Sequence, residues 1–130
     1  MTVLADTSAL YALLDRNDIR HTQAAEAFPG LLGSEGLVTH NYVVVETTAL
    51  VQHRLGAAAA RRFLDDLVPS LSISWVDEDL HRAAVDRLLR GRRKVSLVDW
   101  VSFELMRRLK IGRAFAFDPD FEAQGFRTVT

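Results

Sequence analysis

The stretch Thr2-Val3-Leu4-Ala5-Asp6-Thr7-Ser8-Ala9-Leu10 runs from an apolar segment straight into an acid and then into a helix start. Residues 2–5 suit a strand buried on both faces. Thr7 or Ser8 offers a hydroxyl to cap the following helix, whose Leu10, Leu13 and Leu14 share one face. The order strand, then acid, recurs near the other end, where the apolar residues 114–117 lead into Asp118. Between these ends, residues 37–39 and 71–76 read as strands, and 127–129 as an edge strand. The intervening segments read as helices. Residues 21–28 stop at Pro29-Gly30 and a turn follows at 33–36. Residues 41–55 form a long helix, even though Val43, Val44 and Val45 favour a strand by propensity. Residues 57–68 stop at Pro69; Asp77 caps a helix to about Arg90, and Ser96 caps one to about Lys110. Strands alternating with helices predict an α/β fold with a parallel sheet in one domain.

The chain of 130 residues suits one domain over 1–130. It has no cysteine, which excludes disulfides and thiolate metal sites, so any metal must be held by oxygen or imidazole. No signal peptide and no apolar run of membrane-spanning length stands out, so the expectation is a cytoplasmic protein with no membrane association. Net charge is −1 but unevenly spread. Residues 1–80 hold five Lys and Arg against eleven Asp and Glu; residues 81–130 hold eleven against six. That asymmetry fits an acidic site beside a basic docking surface, or chance clustering on solvated helices.

Four acids are unusually placed. Asp6 and Asp118 follow apolar strands and would face the carboxyl edge of a parallel sheet, where ligands bind; each also suits the start of a turn. Asp99 lies three residues after Ser96, where an acid is favoured by the helix start. Its helix precedes a strand and runs antiparallel to it, which brings Asp99 to the same edge. Glu46 has Tyr42, Val43, Ala49 and Leu50 as its helical neighbours. A carboxylate on such a face needs an arginine partner or a cation. It stands seven residues past the second strand, roughly 10 Å along a helix, and can point back to the strand ends. Four converging acids repel one another, and Mg²⁺ or Mn²⁺ removes that repulsion. Such ions activate water and neutralise charge on a phosphate. Phosphodiester hydrolysis is the natural chemistry of an acidic cluster beside a basic surface. The loop Arg90-Gly91-Arg92-Arg93-Lys94 supplies that surface, or is simply a solvated loop. His21, His40, His53 and His81 have no paired ligand spacing and read as surface or packing residues.

The motifs in series resemble a known family. Asp6-Thr7-Ser8-Ala9-Leu10 resembles the start of PIN domains. His40-Asn41-Tyr42 leading to Glu46-Thr47 is similar to the segment with their second acid. Ser96-Leu97-Val98-Asp99, with Ser102-Phe103 beyond, resembles the third. Ala116-Phe117-Asp118, then Asp120-Phe121 and Gly125-Phe126, resembles the fourth. Length and the C-terminal block look most like the VapC-like toxins of type II toxin–antitoxin systems. The resemblance implies a PIN-like three-layer sandwich, with a five-stranded, mostly parallel sheet flanked by helices. It implies a ribonuclease whose Asp6, Glu46, Asp99 and Asp118 are catalytic and hold Mg²⁺ or Mn²⁺. Ser8 would assist and, with Arg92, Arg93 and Lys94, would bind the RNA substrate. It further implies a cognate antitoxin and a homodimer. Asp120 either extends the metal site or caps its loop.

Two other readings compete. A phosphohydrolase using Asp6 as nucleophile would form an aspartyl-phosphate. The haloacid-dehalogenase-like pattern places a second acid two residues on, where this chain has Ser8. A non-catalytic RNA- or partner-binding module of the same fold would keep the basic loop and tolerate loss of the acids.

Overall fold

The computed structural model describes residues 2–91 and 94–129, apart from the side chains of Ser34 and Glu35. Arg92 and Arg93, expected to bind RNA, lie outside the described residues. The strands are β1 (Val3–Ala5), β2 (Leu37–His40), β3 (Ser72–Ser74), β4 (Arg113–Phe115) and β5 (Arg127–Thr128). They form one parallel sheet in the order β3-β2-β1-β4-β5. The helices are α1 (Thr7–Leu14), α2 (His21–Gly30), α3 (Asn41–Leu55), α4 (Ala57–Arg62), α5 (Glu78–Arg90), α6 (Leu97–Leu109) and α7 (Asp120–Ala123).

The pleat of β1 separates two cores. Val3 and Ala5, with Leu37 and Phe115 on the neighbouring strands, pack with Leu10 of α1 and Ala24 of α2. Leu4, Val38 and Ala114 turn the other way, onto Leu80 of α5 and Val101 and Phe103 of α6. Alternate residues of one strand thus feed opposite faces, and the result is the expected three-layer sandwich. Leu4 is fully buried, so Leu4→Ala would cost about 2–5 kcal/mol.

The strand order places the functional edge. From β1 the chain builds outward to β2 and β3, then returns to the other side of β1 for β4. The order therefore reverses between β1 and β4, which opens a crevice beyond their carboxyl ends. These are the strands that lead to Asp6 and Asp118.

Local structure departs from expectation at several points. The N-cap of α1 is Asp6, whose carboxylate accepts from the Ser8 N–H; neither Thr7 nor Ser8 fills that place. The fourth strand ends at Phe115, because the Phe117 N–H bonds to the Ser8 hydroxyl instead of a strand carbonyl. Asp118 thus follows a short extended connection. Pro29 lies inside α2, one residue before its end, where the helix gives up a backbone donor and passes into a wider turn. The chain then widens into a π-helical turn, Leu31–Glu35, which Gly36 ends at φ 78°. After α4 a second such turn, Phe63–Leu67, passes into a 3-10 turn at Val68–Ser70, where Pro69 is accommodated at the start. The segment with three consecutive valines is helical throughout, with Val43 buried and Val45 exposed.

Candidate active site

Asp6 leaves β1 with its N–H bonded to the Phe115 carbonyl of β4 at 3.0 Å, and its side chain is 3% exposed. Oδ2 accepts from the Ser8 N–H at 3.1 Å and the Ser8 hydroxyl at 2.6 Å. The same hydroxyl accepts from the Phe117 N–H at 2.9 Å, so Ser8 ties the exits of β1 and β4 together. Oδ1 of Asp6 is buried without a hydrogen-bond partner among the described residues. A buried carboxylate oxygen left bare costs stability unless something outside the chain binds it.

Asp99 stands in the first turn of α6, where its N–H bonds to the cap hydroxyl of Ser96 at 3.1 Å. One carboxylate oxygen each from Asp99, Asp118 and Asp120 lie within 4.8 Å of one another. Asp118 also accepts from the Asp120 N–H at 2.9 Å, the short-range bond of a loop-capping acid. Glu46 is half-buried on α3, and no arginine pairs with it among the described residues.

The electrostatics join the four acids into one group. Burial pushes the Asp6 carboxyl up to about 6, with the charges of Glu46 and Asp118 adding to the rise and the two Ser8 hydrogen bonds opposing it. Burial, followed by the charges of Asp6, Asp118 and Glu46, pushes Asp99 up to about 8 against the pull of Ser96. Of the four expected acids, Asp99 and Asp118 thus meet directly, together with Asp120, while Asp6 at the β1 exit and Glu46 on α3 act on that group through their charges and are not part of the close cluster. Perturbed carboxyls in a cleft mark functional sites.

The residues fit a hard divalent cation. The donors are carboxylate oxygens throughout, three of them already converge, and Asp6 Oδ1 is left without a hydrogen-bond partner among the described residues. Lys94 is exposed just before α6. Sequence reasoning missed Arg20, whose guanidinium lies 5.5 Å over the Phe117 ring. It lines a cavity of about 170 Å³ with Asp118, Pro119 and Thr128. No periodicity signals this, since the interaction joins the start of α2 to the distant β4 exit. His40, read only as a surface or packing residue, is fully buried and caps α3. Burial holds its imidazole down at about 4, so it is neutral.

Comparison with known proteins places this geometry. The PIN domain model matches residues 3–127. The chain is 36% identical to the protein named 23S rRNA-specific endonuclease VapC20 in Mycobacterium tuberculosis strains CDC 1551 / Oshkosh and ATCC 25618 / H37Rv, over 95% of each chain. The crystal structure of Mycobacterium tuberculosis VapC20, described as a sarcin-ricin loop cleaving toxin, superposes with a TM-score of 0.87 at 34% identity, again over 95% of both chains. With a family model spanning nearly its whole length and relatives at this identity, the chain belongs to the PIN domain family.

Proposed function

We propose that this chain is an endoribonuclease that hydrolyses RNA phosphodiester bonds with Mg²⁺ or Mn²⁺, and that it is the toxin of a toxin–antitoxin pair. The observation that carries the reading is the convergence of carboxylate oxygens from Asp99, Asp118 and Asp120 within 4.8 Å of one another, with the charges of Asp6 and Glu46 felt at Asp99 and one oxygen of Asp6 buried without a partner among the described residues. Asp6, Glu46, Asp99 and Asp118 would hold the cation, and Asp120 is near enough to join them. When bound, the ion supplies a Lewis acid and an activated water. The chain's own part is to fix the carboxylates: Ser8 holds Asp6, Ser96 anchors the first turn around Asp99, and the loop bond to Asp120 holds Asp118. Arg20, beside Asp118, and the basic run Arg92-Arg93-Lys94 would meet backbone phosphates.

The likeness to a 23S rRNA-specific endonuclease supports ribosomal RNA as the substrate class. The likeness to a toxin fits a cognate antitoxin as partner; a homodimer and a cytoplasmic place of action complete the proposal. Among the described residues no helix is long and apolar enough to cross a membrane. Incubation of the purified chain with total RNA and Mg²⁺ tests the reading. Discrete fragments are expected from cuts at preferred sites. RNA left intact with either ion would overturn it.

A further inference from the structure

We infer that His40 and Ser102 are positioning residues, whose buried hydrogen bond sets the helix bearing Glu46 against the helix bearing Asp99 so that both carboxylates serve one cation. This rests on the proposed cation-binding role of those acids.

His40 ends β2 and caps α3, and Ser102 lies on α6; both are fully buried. The bond between His40 Nε2 and Ser102 Oγ is 2.8 Å long. Its direction follows from the neighbours. The Val43 N–H donates to His40 Nδ1 at 3.3 Å, so Nδ1 is the acceptor and the ring proton sits on Nε2. Nε2 therefore donates to Ser102, whose own proton goes to the Val98 carbonyl at 3.2 Å. Every proton and acceptor in this relay is used. The neutral state of the imidazole at its depressed pKa suits that pattern.

Ser102 follows Asp99 by three residues, so the two lie side by side on one helix surface. Glu46 lies six residues beyond His40, about 9 Å along α3. The other acid-bearing elements are already stapled. Ser8 joins β1 to the β4 exit, Thr39 donates to the Ala5 carbonyl at 2.8 Å, and Thr47 beside Glu46 donates to Thr7 at 3.0 Å. Helix α6 is packed here through Trp100 and Val101, but among the described residues it makes no other side-chain hydrogen bond to a different element at this end. Its other side-chain bonds to different elements among the described residues come from Arg107 and Arg108, near its far end. The acids push one another apart, and apolar packing resists that without fixing the rotation of a helix. A directed, buried hydrogen bond fixes it.

Three variants separate positioning from plain stability. Ser102→Ala and His40→Asn remove the bond from opposite ends; asparagine keeps an acceptor for the α3 cap. His40→Gln does the reverse, since its amide nitrogen reaches as Nε2 does while the cap is removed. Mn²⁺ binding by calorimetry, at a temperature where each variant is folded, is the readout, with melts in chelator alongside. Removing a hydrogen bond that supports metal ligands weakens metal binding by about 10–100-fold. Ser102→Ala and His40→Asn should show that weakening, and His40→Gln should stay within about threefold of wild type, whichever variant melts lowest. Wild-type affinity in both bond-breaking variants, or affinities that simply follow melting temperature, would overturn the inference. Failure of wild type itself to bind Mn²⁺ would instead overturn the functional reading on which it rests.

Discussion

Asp6 turns one carboxylate oxygen to the Ser8 hydroxyl at 2.6 Å and keeps the other buried, with no partner among the described residues. The bonded oxygen holds the group still, and in the proposed function the other would meet the cation. Ser8→Ala removes both the bond to Asp6 and the acceptor of the Phe117 N–H. A buried group left unpaired costs about 1–3 kcal/mol. The variant should melt lower in chelator, and its cleavage rate should fall because Asp6 is no longer held. If Ser8 served only to touch RNA, the melt would not move and only RNA affinity would suffer.

Metal-free stability should fall as pH rises. Asp6 and Asp99 are raised from 3.8 to about 6 and about 8 in the folded chain. At these two carboxyls the folded state then holds more protons than the unfolded state between roughly pH 4 and 8, which outweighs the one proton that buried His40, held down at about 4, lacks below its ordinary value of 6.5. Their contribution is complete below the unfolded value and disappears as pH climbs through the folded values. Melts in excess chelator should therefore drop from pH 5 to pH 8.5. Saturating Mn²⁺ should raise the melt most at the alkaline end, where the carboxylates are ionised. A chelated melt that rises across this window would contradict the account.

Asp99→Asn separates a cation ligand from a helix-start acid. Above about pH 8, where Asp99 is ionised without metal, the change removes one charge from the cluster and keeps the shape of the side chain. Relief of repulsion works against a loss of helix-dipole stabilisation of about 0.3–1 kcal/mol, so the metal-free melt should be unchanged or higher. Mn²⁺ should stabilise wild type by preferential binding to the folded state, and the variant much less. Cleavage should fall by orders of magnitude. A variant that melts clearly lower yet cleaves normally would return Asp99 to a capping role.

Much of the site was readable because its acids break local rules. Asp6 and Asp118 interrupt apolar runs, and Glu46 sits among apolar helical neighbours, so each needed a reason beyond solvation. The alternation of strands and helices gave the layer order, and the position of β4 beside β1 turned two strand ends into one cleft. The capping role of Asp6 was hidden because Thr7 and Ser8 are equally good local candidates; in the fold the Ser8 hydroxyl instead accepts from the Phe117 N–H, beyond the end of β4. The His40–Ser102 bond spans 62 residues and leaves no mark in periodicity. Arg20 was missed for the same reason. Pro29 was over-read as a helix end, since proline near a terminus removes a donor without breaking φ.

RNA docking predicts a salt signature. Removing a cation that neutralises one backbone phosphate lowers the salt slope of single-strand binding by about 0.7. Lys94→Gln and Arg20→Gln should each reduce the slope by that amount, as should Ala at Arg92 or Arg93. Binding to single-stranded RNA is measured across a salt series. Slopes and affinities equal to wild type in all of them would assign these side chains to plain solvation.

The most direct test of the central claim is a chelator and add-back series on RNA cleavage by wild type and Asp6→Asn. Wild type should cut in Mg²⁺ or Mn²⁺, stop in excess chelator and recover when either ion is restored, while Asp6→Asn, folded by its melt, should stay inactive throughout. Full cleavage by wild type in excess chelator, or normal cleavage by Asp6→Asn, would contradict a cation-dependent nuclease centred on Asp6.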